Sequence, residues 1–139
     1  MNPIAAGHTS AVPVLALGDT LLVTLPGELH DGVAEQLQQD ITHRIARSTV
    51  SGVVIDISGV DIVDSFLGRV LAEIAAGARL MAVRTVLAGM RPAVAITLVE
   101  LGLALPGLVT ALDVERAMEL LTAAPQSTTA ARPRRKGGT

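Results

Sequence analysis

The chain has 139 residues, half of them hydrophobic, with a formal charge of −2, no Cys, Trp or Tyr and a single Phe. That length suits one domain with an aliphatic core. The apolar half excludes a disordered chain, and the missing Cys removes disulfides and thiolate chemistry. Arg132, Arg134, Arg135 and Lys136 are four of the 11 basic residues, which leaves seven basic against 13 acidic residues before them, a balance of −6 that argues against a nucleic-acid partner.

Residues 1–11 read as a flexible N-terminus. They have neither the basic start nor the apolar run of a secretory signal, so a cytoplasmic protein is expected. Val14–Leu17 and Leu21–Leu25 are short apolar runs around Gly18-Asp19, a two-residue hairpin signal, and Pro26-Gly27 ends the second. Asp31 is placed to cap a helix reaching Arg47, with Val33, Leu37, Ile41 and Ile45 on one face. Gly52 opens the strand Val53–Ser58, apolar on both faces as a central strand is.

Asp64-Ser65 stands where that strand gives way to a helix predicted to reach Met81, with Leu67, Val70, Leu71, Ile74, Ala78 and Met81 inward. A Ser65 hydroxyl can cap that helix, for about 1 kcal/mol, and a phosphate on it would meet free backbone N–H groups. Thr85–Ala88 is a further strand, and Pro92 suits the first position of a helix ending near Gly102. The stretch Pro92–Leu112 is almost wholly apolar. Glu100, Gly102, Pro106 and Gly107 interrupt it, so it reads as a buried helix and a strand, Leu108–Ala111, rather than a membrane span. Asp113 caps a last helix to about Ala123, with Val114, Ala117, Met118 and Leu121 inward, and residues 124–139 read as a disordered basic tail. Helices alternating with strands imply an α/β domain over residues 12–123: a small, mostly parallel mixed sheet with about four helices.

Three acids, Asp56, Asp61 and Asp64, lie near Ser65. Clustered acids at strand ends can hold Mg²⁺, but a phosphoacceptor of the receiver type also needs a Lys near the last strand, and the only Lys is Lys136. No metal or cofactor is expected. A serine nucleophile needs a base: His8 lies in the loose N-terminus, His43 on an exposed helical face, and His30 precedes a helix with no fixed neighbour; Val63 and Leu67 stand where a nucleophile elbow has glycines. The chain therefore reads as a non-enzyme, with a small serine hydrolase as the remote alternative. Phe66 is either a docking residue beside Ser65 or a core residue.

Val53-Val54-Ile55-Asp56-Ile57-Ser58, followed by Val60-Asp61-Ile62-Val63-Asp64-Ser65-Phe66, resembles STAS domains, the anti-sigma factor antagonist fold. More narrowly it resembles the RsbS-like small proteins of the bacterial stressosome. Leu29-His30-Asp31, Thr85-Val86-Leu87, Arg91-Pro92-Ala93-Val94-Ala95-Ile96-Thr97-Leu98 and Glu100-Leu101-Gly102-Leu103 carry the resemblance further, over about Val12–Leu121. It implies a STAS fold and a non-catalytic scaffold of the stress response. Such a scaffold sequesters an RsbT-type serine kinase, assembles with itself and with RsbR-type sensor paralogues, and releases the kinase when phosphorylated. The modified serine falls on Ser65, a second and weaker acceptor on Thr97, and the partner surface on Asp61, Asp64 and Phe66; a serine phosphatase resets the switch. The common antagonist motif has Ser or Thr and then Gly after Asp-Ser, where this chain has Phe66 and Leu67. That favours the stressosome branch over the alternative, a direct anti-sigma factor antagonist that binds an anti-sigma kinase.

Overall fold

The computed structural model describes residues 12–102 and 108–130, with side chains of the last helix as far as Thr122. Strands β1 (Val14–Leu17) and β2 (Thr20–Thr24) form the hairpin around Gly18, whose φ of 64° is the left-handed conformation a tight turn demands. Helix α1 (Asp31–Arg47) follows, then β3 (Gly52–Asp56), α2 (Ser65–Leu80), β4 (Arg84–Ala88), α3 (Pro92–Glu100), β5 (Leu108–Ala111) and α4 (Val114–Ala130). The sheet order is β1-β2-β3-β4-β5, antiparallel only at β1–β2 and parallel elsewhere. This is the mixed, mostly parallel sheet with four helices that the alternation predicts.

Period-two alternation divides the strands between two apolar layers. Leu21, Val23, Val53, Ile55 and Leu87 face α1 and α2 and meet Leu37, Ile41, Leu71 and Ile74 there. Val54, Val86 and Ala88 face the other way, against Ala117, Val114, Met118 and Leu121 of α4. Each fully buried Leu, Ile or Val contributes about 1.5–3 kcal/mol.

Four details differ from the sequence reading. Asp31 is the first residue of α1 and His30 its N-cap, without a side-chain bond to the helix. Helix α2 stops at Leu80, so Met81 lies outside the buried stripe and is exposed. Helix α3 is a surface helix that buries only Val94 and Leu98; Ile96 and Val99 face outward, although its composition suggested full burial. Helix α4 continues to Ala130 through the first residues of the stretch read as a disordered tail; the N-terminal residues 1–11 and the basic residues of that tail lie outside the described residues. Among the described residues no helix is long and apolar enough to cross a membrane.

The turn that leaves β4 constrains the site. Gly89 has φ 76°, and a Cβ built there would lie 2.8 Å from the Ser58 Cβ. Gly89→Ala is therefore expected to cost about 2 kcal/mol, from backbone strain and from displacement of the loop after β3. Urea unfolding of the two proteins measures this; an unchanged midpoint would show that the two loops are not locked together.

Candidate functional site

The site is the segment joining β3 to α2. Strand β3 ends at Asp56, whose Oδ1 accepts the Ser58 N–H at 2.9 Å and turns the chain. The Ile57 N–H donates to the Ala88 carbonyl and the Val60 N–H to the Ile57 carbonyl, so the turn is tied to the sheet and to itself. Val60 and Val63 are buried in the core. Anchoring those two positions leaves Asp61, Ile62 and Asp64 facing out, and Ile62 is 81% exposed, among the most exposed large apolar residues described.

A cation braces the segment from outside. The Arg91 Nε donates to the Ser58 carbonyl at 2.9 Å, and its Nη1 pairs with Asp61 Oδ1 at 2.6 Å. Both side chains of the pair are more than half exposed, so its energetic value is about 0–1 kcal/mol. Its structural effect is to join the loop before α3 to the loop before α2.

Asp64, not Ser65, caps α2. Its Oδ1 accepts the Leu67 N–H at 2.9 Å and its carbonyl accepts the Gly68 N–H at 3.0 Å. Ser65 is consequently the first residue of the helix, and it is exposed. This corrects the expectation that its hydroxyl is the cap, and it leaves that hydroxyl without the cap's duty. Phe66 is half-buried: it packs against the core cluster and keeps part of its surface open.

Leu25, Pro26, Gly27, Glu28 and Leu29 form one wall of a groove of about 500 Å³, and Val60, Asp61, Ile62, Asp64 and Leu67 form the other. Ser65 follows directly on Asp64 in the sequence. The groove is apolar at its base and acidic at its edge, with Glu28, Asp61 and Asp64 all exposed.

Other candidates lie apart. The Thr97 hydroxyl, on α3, donates to the Ala93 carbonyl at 3.0 Å. His43 sits on the outer face of α1, and His8 lies outside the described residues. Asp56, Asp61 and Asp64 each have a separate partner: a turn N–H, Arg91 and a helix N–H. Among the described residues no group of three His, Asp or Glu side chains is arranged to hold a metal ion. Sequence reasoning missed Ile62 and Arg91 as site residues. The spacing of Val60 and Val63 held a signal for Ile62, because two inward positions three apart leave the two residues between them outside. Nothing local marks Arg91, which meets Asp61 and Ser58 across 30 and 33 residues of chain.

The model of the STAS domain family matches residues 11–117. Among curated proteins of Bacillus subtilis (strain 168), the RsbT co-antagonist protein RsbRC is 31% identical over 99 residues, which is 70% of this chain and 35% of that protein. RsbT co-antagonist protein RsbRB is 32% identical over 66% of this chain and 33% of its own length. This chain thus spans about a third of the curated relatives it matches. Among solved structures, a serine-to-glutamate variant of Moorella thermoacetica RsbS has 39% identity and a TM-score of 0.75, covering 83% of this chain and 97% of that one. A chain from the stressosome, described as a signal integration and transduction hub, has 40% identity and a TM-score of 0.73 over 82% of this chain and 99% of its own. The unphosphorylated anti-sigma factor antagonist SpoIIAA, 21% identical with a TM-score of 0.67 over 81% of this chain and 96% of its own, shares the fold.

The division of labour at the start of α2 is open to measurement. Asp64→Ala removes the acceptor of the Leu67 N–H and is expected to lower stability by about 1 kcal/mol. Ser65→Ala is expected to stay within about 0.5 kcal/mol of the parent, as an exposed substitution away from the cap does. Denaturant unfolding of both variants checks this, and the reverse order would return the capping role to Ser65.

Proposed function

The chain belongs to the STAS domain family, and from that premise we propose that it is a non-catalytic, phosphorylation-controlled scaffold of a stressosome-type assembly. In this reading it holds an RsbT-type serine kinase and releases it when Ser65 is phosphorylated. Its co-assembling partners are further copies and RsbR-type sensor paralogues, and a serine phosphatase restores the holding state.

The observation that carries the reading is an exposed serine, free of capping duty, at the first residue of a helix and next in sequence to Asp64, which lines a groove with an exposed isoleucine. A kinase can reach such a hydroxyl without unfolding anything. The helix end accepts the added charge, since unpaired N–H groups and the helix dipole both favour an anion there. The similarity to RsbS and to proteins described as RsbT co-antagonists supports the choice of partner. The conversion of serine to glutamate in the RsbS variant is the kind of change that imitates a phosphate.

Exposure around the segment supports one addition to the docking residues. Asp61, Asp64 and the open part of Phe66 stay in the proposed surface, and Ile62, far more exposed, joins them as its main apolar anchor. Thr97 is the secondary acceptor; its modification requires breaking the bond to the Ala93 carbonyl.

Incubation with an RsbT-type kinase and ATP is expected to add one phosphate, absent in Ser65→Ala, as read by intact-mass spectrometry. Equal labelling of the variant would sink the assignment. In a binding titration Ser65→Ala is expected to keep kinase affinity and Ser65→Asp to lose it at least tenfold. Ile62→Ala is expected to weaken the unphosphorylated complex by roughly tenfold, the loss typical of truncating an interface side chain worth more than 1 kcal/mol. Unchanged affinity in that variant would move the docking surface elsewhere.

A further inference from the structure

We propose that Arg69 is the built-in counterion of a phosphate on Ser65. This rests on the reading of Ser65 as the modified residue. Ser65 and Arg69 are both exposed and stand four residues apart on α2. Residues so spaced are neighbours on a helix surface, with Cβ atoms about 5–6 Å apart. Side chains on a helix lean towards its N-terminus, so the long Arg69 side chain covers the turn that begins at Ser65. An acid one turn before a base is the stronger orientation of such a pair. Glu73, one turn after Arg69, stands in the weaker one. Among the described residues Arg69 is in no ion pair.

The other charges around the rim do not offer the same service. Glu28 and Asp61 from the neighbouring loops, and Asp64 beside Ser65, repel a phosphate. Arg91 is the nearby cation from the opposite loop, but its Nε and Nη1 are engaged with the Ser58 carbonyl and Asp61. The Leu67 N–H is held by Asp64, which leaves the Ser65 and Phe66 N–H groups at the helix end. A phosphate placed there therefore meets two backbone donors and, from one turn on, a guanidinium able to grip two of its oxygens. Arg69 is a positioning residue in this account. It turns the phosphate along the helix and away from the acidic groove, and it stabilises the dianion over the monoanion.

The test uses full-length protein in which phosphoserine is installed at position 65 during synthesis, so that it needs no kinase. The second ionisation of the phosphate, ordinarily near pH 6, is followed by phosphorus NMR titration. Removing a cation that favours the dianion raises this value. Arg69→Gln is expected to raise it by about 0.3 unit at low salt. Arg91→Gln is expected to leave it within about 0.1 unit, and Arg69→Lys to recover part of the parent value. Raising the salt concentration to about 1 M is expected to erase the Arg69→Gln difference. An unchanged titration in Arg69→Gln, or a larger change in Arg91→Gln, overturns the proposal. A kinase that fails to label Ser65 would instead overturn the functional reading and leave this pairing measurable.

Discussion

Strand β3 cannot face water on either side. Val53, Val54 and Ile55 are fully buried, two of them beneath α1 and α2 and the third beneath α4. A strand apolar on both faces must be central, with helices crossing on both sides of the sheet. Polar chemistry can appear only where the strand runs out, and Asp56 is the first residue to show a partly open surface. The turn at Ser58, the braced loop and the start of α2 all follow from that point. The site lies at the carboxyl end of the parallel strands because β3 itself carries only apolar side chains until it runs out at Asp56.

From there the loop is governed by which residues can go inward. Val60 and Val63 are held by the core, and their spacing puts Asp61, Ile62 and Asp64 on the surface. Gly89, whose missing Cβ admits Ser58, and Arg91, which grips the Ser58 carbonyl and Asp61, hold the same loop from the side of β4. The start of α2 then has one cap position and two residues able to fill it. Asp64 takes the Leu67 N–H. Had the frame slipped by one residue, the Ser65 oxygen would be tied to the backbone and less available for modification. The availability of Ser65 is thus a consequence of its neighbour's hydrogen bond.

Much of this was legible in the sequence, for particular reasons. The hairpin was readable from Gly18-Asp19, β3 from its two-faced apolar run, and α1 from Leu37, Ile41 and Ile45, since turn chemistry and burial leave local periodic marks. The cap was misread because Asp and Ser are equally good cap residues and stand side by side; only the hydrogen bond to Leu67 separates them. Helix α3 was misread because a helix with almost no polar residue has no polar face to mark its outside, so Ile96 and Val99 carried no warning of their exposure. Pro125 and the polar residues after it suggested an earlier end to α4 than the Ala130 observed. Arg91 was invisible because its role is made by two loops that meet only in the folded chain.

The electrostatics of the rim explain why a phosphate would act by charge rather than by refolding. Asp61 is already balanced by Arg91, and Asp64 by the helix end, so the surface around Ile62 is less hostile to an apolar partner than its three acids suggest. Two unit charges about 6 Å apart interact by roughly 0.7 kcal/mol in water but by roughly 3 kcal/mol at the effective dielectric of a covered protein surface. A dianion on Ser65 therefore costs the free domain little, because water screens it and the helix end accepts it. In the proposed complex, where a partner covers the groove, the same dianion must shed water beside the three acids of the rim, at a cost of several kcal/mol. The penalty falls almost wholly on the complex, which is what a release switch requires. In the proposed reading, a counterion at Arg69 would limit that penalty and so set how firmly the switch closes, because part of the added charge would be balanced within the domain itself.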